Sequence, residues 1–201
     1  PLESALLPET LIGSDVKFKG RLQKSQHVIL GLEYDPISSL SINLEGYYKN
    51  FSQLISVNRY KMSDEDSEFI WEKGNAYGGD ISVKYEQKGV YLWFVYSLGW
   101  VNRNDGKIEY NPHFDRRHNI NLVASYSFGK RRSWEVNCRW NFGSGFPFTQ
   151  TQAYYPHYYP SHINDDYVSN NEDVYFLLAE FNKSRLPSYH RLDLGAKKKF
   201  Y

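Results

Sequence analysis

The stretch FPFTQTQAYYPHYYPSH sets two tyrosine pairs, Tyr154–Tyr155 and Tyr158–Tyr159, around a Pro-His step. Tyrosine rings stack on sugars, siderophore rings or peptide side chains, and their hydroxyls donate hydrogen bonds. These four residues are therefore the leading candidates for substrate capture, in competition with packing of the loop on itself or its neighbours. A second set is charged. Asp115, Arg116 and Arg117, with His118 behind them, lie where a polar stretch re-enters an alternating one. Glu135, Arg139, Arg191 and Asp193 fall on the polar faces of alternating segments. If these segments form a barrel wall, such residues would line its lumen, because charge turned toward lipid is costly. For Asp115, Arg116 and Arg117 a structural role is expected ahead of direct ligand contact.

Signals for covalent chemistry are weak. Gly143-Ser144-Gly145 lacks the GxSxG spacing of a nucleophile elbow and reads as a flexible exit from a strand. His157 and His162 are separated by Tyr158, Tyr159 and Pro160, which oppose the helix that would bring both to one face. The acidic groups Asp64, Glu65, Asp66, Glu68 and Asp165, Asp166, Glu172, Asp173 lack EF-hand spacing and read as solvated loop charge. The single Cys138 permits no internal disulfide and no zinc knuckle. Neither an enzyme nor a metal or other cofactor is expected.

The elements that position these residues follow from composition and period. The chain has 201 residues with 24 basic and 23 acidic side chains, enough for one domain and without a global basic field for nucleic acid. Its longest nearly uninterrupted apolar run, Val90 to Val101, is too short for a spanning helix of about 20 residues. Aromatic residues reach 17%, with 18 Tyr, 12 Phe and 5 Trp, a usage that suits pleated strands.

Period two dominates. Trp134, Val136, Cys138, Trp140 and Phe142 alternate with Glu135, Asn137, Arg139 and Asn141, and Ile120, Leu122, Ala124, Tyr126 and Phe128 alternate with Asn119, Asn121, Val123, Ser125 and Ser127. Seven strands are predicted, near 25–34, 39–57, 75–86, 90–102, 117–128, 133–142 and 188–200, after a loop or partial strand over 1–24. Short connections at 35–38, 87–89 and 129–132 alternate with long ones at 58–74, 103–116 and 143–187. That asymmetry, with Tyr34, Tyr48, Tyr85, Trp100, Tyr126, Trp134 and Trp140 near strand ends of the apolar face, describes an all-β, antiparallel, up-and-down transmembrane β-barrel with aromatic girdles. Seven strands would form only part of its wall, over residues 25–201. The competing architecture is a soluble extracellular β-sandwich or lipocalin-like binding module, in which the same apolar face meets a protein core. An outer-membrane hydrolase is a third possibility with little support.

Three stretches also resemble a known family: HVILGLEYDP with LSINLEGYYKNFSQLI; NPHFDRRHNINLVASYSFGKRRSWEVNCRWNFGSGFPFTQTQ; and LPSYHRLDLGAKKKF. Over most of residues 25–200 the chain resembles the C-terminal part of the barrel of a TonB-dependent outer-membrane receptor, of the type with an N-terminal carboxypeptidase-regulatory-like domain. The resemblance implies a barrel of about 22 strands closed by a plug, located in the bacterial outer membrane. It also implies energised uptake of a small or oligomeric solute, with a TonB-type complex as partner through an N-terminal plug region that these residues do not include. The family would be expected to continue beyond Phe200-Tyr201 to its terminal aromatic, so the chain reads as a fragment.

Overall fold

The computed structural model describes residues 22–156 and 174–200. They contain twelve strands in chain order: β1 (Lys24–Ile37), β2 (Leu40–Val57), β3 (Phe69–Gln87), β4 (Val90–Asn104), β5 (Glu109–Tyr110), β6 (His118–Phe128), β7 (Trp134–Gly143), β8 (Pro147–Phe148), β9 (Thr151–Pro156), β10 (Val174–Leu178), β11 (Ser184–Arg185) and β12 (Tyr189–Lys198). The long strands form one antiparallel sheet in the order β1-β2-β3-β4-β6-β7-β12, with β5 paired only to β4. The sheet is an up-and-down meander, open between β1 and β12.

Tight turns join one end of the sheet. Lys88-Gly89, with φ of 49° and 90°, is a two-residue turn of the left-handed kind whose twist matches the flanking strands. Gly129 opens a short 3-10 turn over Lys130–Arg132 between β6 and β7. Pro36, which has no N–H to give to a ladder, sits in β1 where its pairing with β2 shifts register between Tyr34 and Ile37.

Alternation becomes two faces because the register carries each face across the whole sheet. Tyr34, Ile42, Val83, Phe94, Leu122, Trp140 and Leu192 stand side by side from β1 to β12. One step along the strands, Glu33, Asn43, Ser82, Val95, Asn121, Asn141 and Arg191 form the corresponding row on the opposite face. Aromatic rings bracket the aliphatic middle. Tyr77 stacks on Trp100 at 5.4 Å near the loop end, and Tyr126, Phe128 and Trp134 stack in sequence at 5.6 and 6.5 Å near the turn end.

No second layer covers the apolar face among the described residues. Ala76 and Tyr110 are the only buried hydrophobic residues there, whereas Leu30 and Leu194 are 80% and 75% exposed. Each uncovered large side chain forgoes roughly 1.5–3 kcal/mol of burial. A dozen of them exceed the 5–15 kcal/mol by which whole domains are stable. The backbone ladders and cross-strand pairs shape the sheet, and its apolar face requires a covering medium.

Two expected loops are shorter than their sequence suggests. β3 begins at Phe69 rather than at 75, so the connection after β2 spans only 58–68. The segment 143–187 is not a continuous loop, because it carries β8, β9, β10 and β11. Gly143 faces Tyr189 and Pro147 faces Arg185, four residues further along one strand and four back along the other. The β7–β12 ladder thus resumes in the same register after a break. Beyond it, β9 and β10 extend the hairpin with Tyr155 opposite Tyr175 and Tyr154 opposite Phe176.

Candidate functional site at the loop end of the sheet

The long connections are tied together by two buried carboxylates. Glu72, 1% exposed, sits on β3 where its neighbours alternate between both faces. Arg59 Nη2 donates to its Oε1 at 2.6 Å, the Tyr110 hydroxyl donates to it at 2.8 Å, and Arg103 Nη1 lies 3.5 Å from Oε2. The Arg59 guanidinium packs against the rings of both Tyr110 and Phe181, at 4.2 and 4.4 Å, and those two rings meet edge-on at 4.9 Å. Its Nη1 has no hydrogen-bond partner among the described residues, and aromatic rings meet the cation instead. One guanidinium therefore joins the connection after β2 to β3, β5 and the segment before β11. Burial pushes the Tyr110 hydroxyl above its ordinary value, and with the bond to Glu72 it outweighs the opposing pull of Arg59.

Asp105 extends the knot. Its carboxylate accepts from the backbone N–H groups of Lys107 and Ile108 at 2.8 and 2.9 Å and from the Tyr60 hydroxyl at 2.9 Å. Burial alone would raise its pKa, but these donors and the Arg59 charge hold it below the ordinary carboxylate value. Tyr60 is raised, first by burial and then by its bond to Asp105.

The second carboxylate, Asp115, is 0% exposed. It accepts from the Val101 backbone at 2.9 Å, from Arg117 Nε at 3.1 Å and from Arg185 Nη2. Arg185 Nη1 also bonds the Asp115 carbonyl at 3.0 Å. Asp115 thereby clamps β11 to the connection after β5. Arg116 lies with its guanidinium 4.2 Å over the Phe146 ring, and Arg117 reaches the Trp100 ring at 5.6 Å. Gly143 and Gly145 are close-approach positions rather than flexible ones. An added Cβ would lie 2.5 Å from the Arg116 guanidinium at the first and 1.5 Å from the Leu186 carbonyl oxygen at the second.

The polar-face residues of the last two wall strands are brought together in register. Arg139 stands opposite Asp193 and Glu135 opposite Lys197, and Arg191 Nη2 pairs with Asp193 Oδ1 at 2.9 Å. Tyr154 and Tyr155 lie on β9, 68% and 47% exposed, with Tyr154 edge-on to Phe176 at 5.2 Å. Tyr158 and Tyr159, His157 and His162, and the acidic group 165–173 lie outside the described residues. In the other acidic group, Asp66 caps the Met62 and Ser63 N–H groups at 2.9 and 3.0 Å, and Lys61 bonds Glu68. Among the described residues no three metal-ligating side chains converge.

Sequence reasoning missed Glu72, Arg59, Tyr110 and Arg185. Glu72 lay inside an assumed loop, and nothing local signals a pairing between residues seventy positions apart, as Arg185 and Asp115 are. The arrangement offers a firmly based hairpin that presents exposed aromatic rings, a geometry suited to stacking on flat or sugar-like solutes.

No protein-family model, no curated protein and no solved structure matches the chain.

Proposed function

We propose that the chain is a section of the wall of a transmembrane β-barrel in a bacterial outer-membrane receptor, one that takes up a scarce solute with energy from a TonB-type complex. The short turns face the periplasm and the long connections face outward. The β9–β10 hairpin, with Tyr154 and Tyr155, contributes to solute capture. Arg139, Asp193, Arg191 and Glu135 face the lumen or a plug carried elsewhere in the receptor.

One observation carries this reading: an apolar face continuous over seven strands, uncovered, and bracketed by aromatic rows. From Tyr77 to Tyr85 is eight residue steps, about 26 Å at about 3.3 Å each. A strand tilt of about 40° reduces that to about 20 Å, close to the roughly 25 Å apolar band of outer-membrane barrels. A soluble sandwich needs a second sheet on this face, and the described residues supply none.

The test is an antibody to the 155–175 peptide, blotted on fractionated source cells with and without boiling. A band far heavier than 201 residues, in the outer-membrane fraction and shifted by boiling, is expected. A soluble band at the size of the chain with no heat effect would refute the receptor. The capture role is tested separately: Tyr154, Tyr155, Tyr158 and Tyr159 changed together to Ala should weaken solute binding by the full receptor, and unchanged affinity would remove the hairpin from recognition.

A further inference from the structure

The tight-turn end of the sheet is strongly basic. Lys130, Arg131 and Arg132 fill the connection between β6 and β7, Lys197 and Lys198 close β12 beside it, and Lys199 follows, all of them exposed. The Lys199 N–H donates to the Ser133 carbonyl at 2.8 Å, which joins the two segments one step past the ladder. Lys88, in the turn between β3 and β4, is held close by the Ser127 N–H, which donates to the Gly89 carbonyl at 2.7 Å. Among the described residues none of these cations has an ion-pair partner. Of the carboxylates on β3 and β7 at this end, Glu86 pairs with Lys84 at 3.7 Å and Glu135 stands opposite Lys197.

Like charges gathered this way repel one another, and the backbone adds a conformational cost. Lys88, Arg131 and Arg132 have φ of 49°, 56° and 53°, the left-handed region that Asn and Gly adopt more easily. Turns that only reversed the chain would be more stable with those residues. A negative partner offsets both costs, and the register says on which side it lies. Phe128, Trp134 and Lys198 form one row on the apolar face, the last before the turn. The Lys198 ammonium lies 4.7 Å over the Trp134 ring and 4.9 Å over the Phe200 ring. It thus sits at the depth of the aromatic row, on the face turned away from any water-borne acidic protein. Rings at that depth mark the headgroup level of a membrane, and long cationic side chains beside them carry charge to lipid phosphates.

We infer that the tight-turn end binds a phospholipid with a net negative headgroup, in the leaflet that the short turns face. The inference rests on the membrane reading above and adds a charge selectivity at one end of the wall. Lys198 approaches the phosphate from the lipid side, and the Lys130–Arg132 turn approaches it from the water side. A zwitterionic headgroup brings its own compensating cation and gains less from the cluster.

The test offers the full receptor, in zwitterionic detergent at low salt, equal amounts of phosphatidylglycerol and phosphatidylcholine, with native mass spectrometry as readout. The wild type should retain phosphatidylglycerol in preference. Each cation near a membrane surface contributes about fivefold, so Lys198→Gln should lower that preference about fivefold and the pair Arg131→Asn with Arg132→Asn about 25-fold. Asn accepts positive φ, so the paired variant keeps the turn. Lys183→Gln, which removes one exposed charge between β10 and β11 at the other end, should leave the preference unchanged. No preference in the wild type, or one that survives both sets of substitutions, in a receptor that still shows the boiling shift in the outer membrane, would overturn the lipid site and leave the barrel standing. Equal displacement of the lipid by soluble polyglutamate would overturn it in favour of an acidic protein partner. A receptor found in the soluble fraction would bring down the barrel and the lipid site together.

Discussion

Leu44, Tyr48 and Asn43 on β2 separate a lipid-facing wall from any water-soluble packing. Leu44 lies in the aliphatic middle, in register with Leu32 and Ile81, and is 44% exposed. Its register partner Ile81 is four residues from both Tyr77 and Tyr85. That is about 13 Å along the strand, or about 10 Å of depth at a tilt of about 40°. Arginine at that depth costs about 2–4 kcal/mol, falling to about 0–1 near the interface. Leu44→Arg should therefore lower the folded-to-unfolded ratio by about two decades, and Tyr48→Arg, in the aromatic row, by less than one. Asn43→Arg, on the polar face, should change stability by under about 0.5 kcal/mol. The assay is denaturant unfolding of the full receptor in phospholipid vesicles, scored by the unboiled gel shift. A protein core would penalise Leu44 and Tyr48 alike, because it has no depth gradient along the strand. Equal costs at those two positions, or a cost at Asn43 matching that at Leu44, would refute the assignment of faces.

Three further outcomes follow from the loop end. Asp115→Asn removes the acceptor shared by Arg117 and Arg185, which are themselves 26% and 32% exposed. Discounted for that exposure it should cost about 2–3 kcal/mol and speed hydrogen exchange at the Val101 amide, with the sheet otherwise intact. Gly145→Ala forces a backbone shift at Leu186, so the Leu186 N–H bond to the Phe146 carbonyl should be lost, at about 1–3 kcal/mol, seen as rapid exchange of that amide. Asp105 has a folded-state pKa below its ordinary 3.8. Its stabilisation is fully present above that value and disappears as pH falls through the folded one. Protection of the Ile108 amide should therefore be constant from pH 7 to 5 and collapse below 3.8, and Asp105→Asn should abolish that dependence.

What was legible in the sequence was whatever alternation alone determines. β6 and β7 begin and end within a residue of expectation because Ile120 to Phe128 and Trp134 to Phe142 never break period. The start of β3 was hidden because Phe69, Ile70 and Trp71 are apolar in succession and Gly74, Gly78 and Gly79 look like loop residues. Across the sheet Gly78 is hemmed in by the Leu98 carbonyl and the Tyr47 hydroxyl, so glycine there serves close packing and not a turn. The outer hairpin was hidden because Pro147, Pro156 and Pro187 punctuate it, while its register is held by partners 18 to 38 residues away. Exposed Tyr154 and Tyr155 could be nominated from composition. The ion-paired base beneath them could not, because Arg59, Glu72, Tyr110 and Phe181 meet only after four connections have been placed.

The register that β8 and β11 share with β7 and β12 makes the base of the hairpin a stiff extension of the sheet rather than a tether. A flexible loop would absorb a push at its tip within itself. Here β8 and β11 resume the β7–β12 register after a break, and that resumed pair is pinned by Arg185 on Asp115. A load on the β8–β11 pair is therefore borne by that pin. It reaches Val101 on β4 through the Asp115 carboxylate and the Gly143–Tyr189 pair through the ladder.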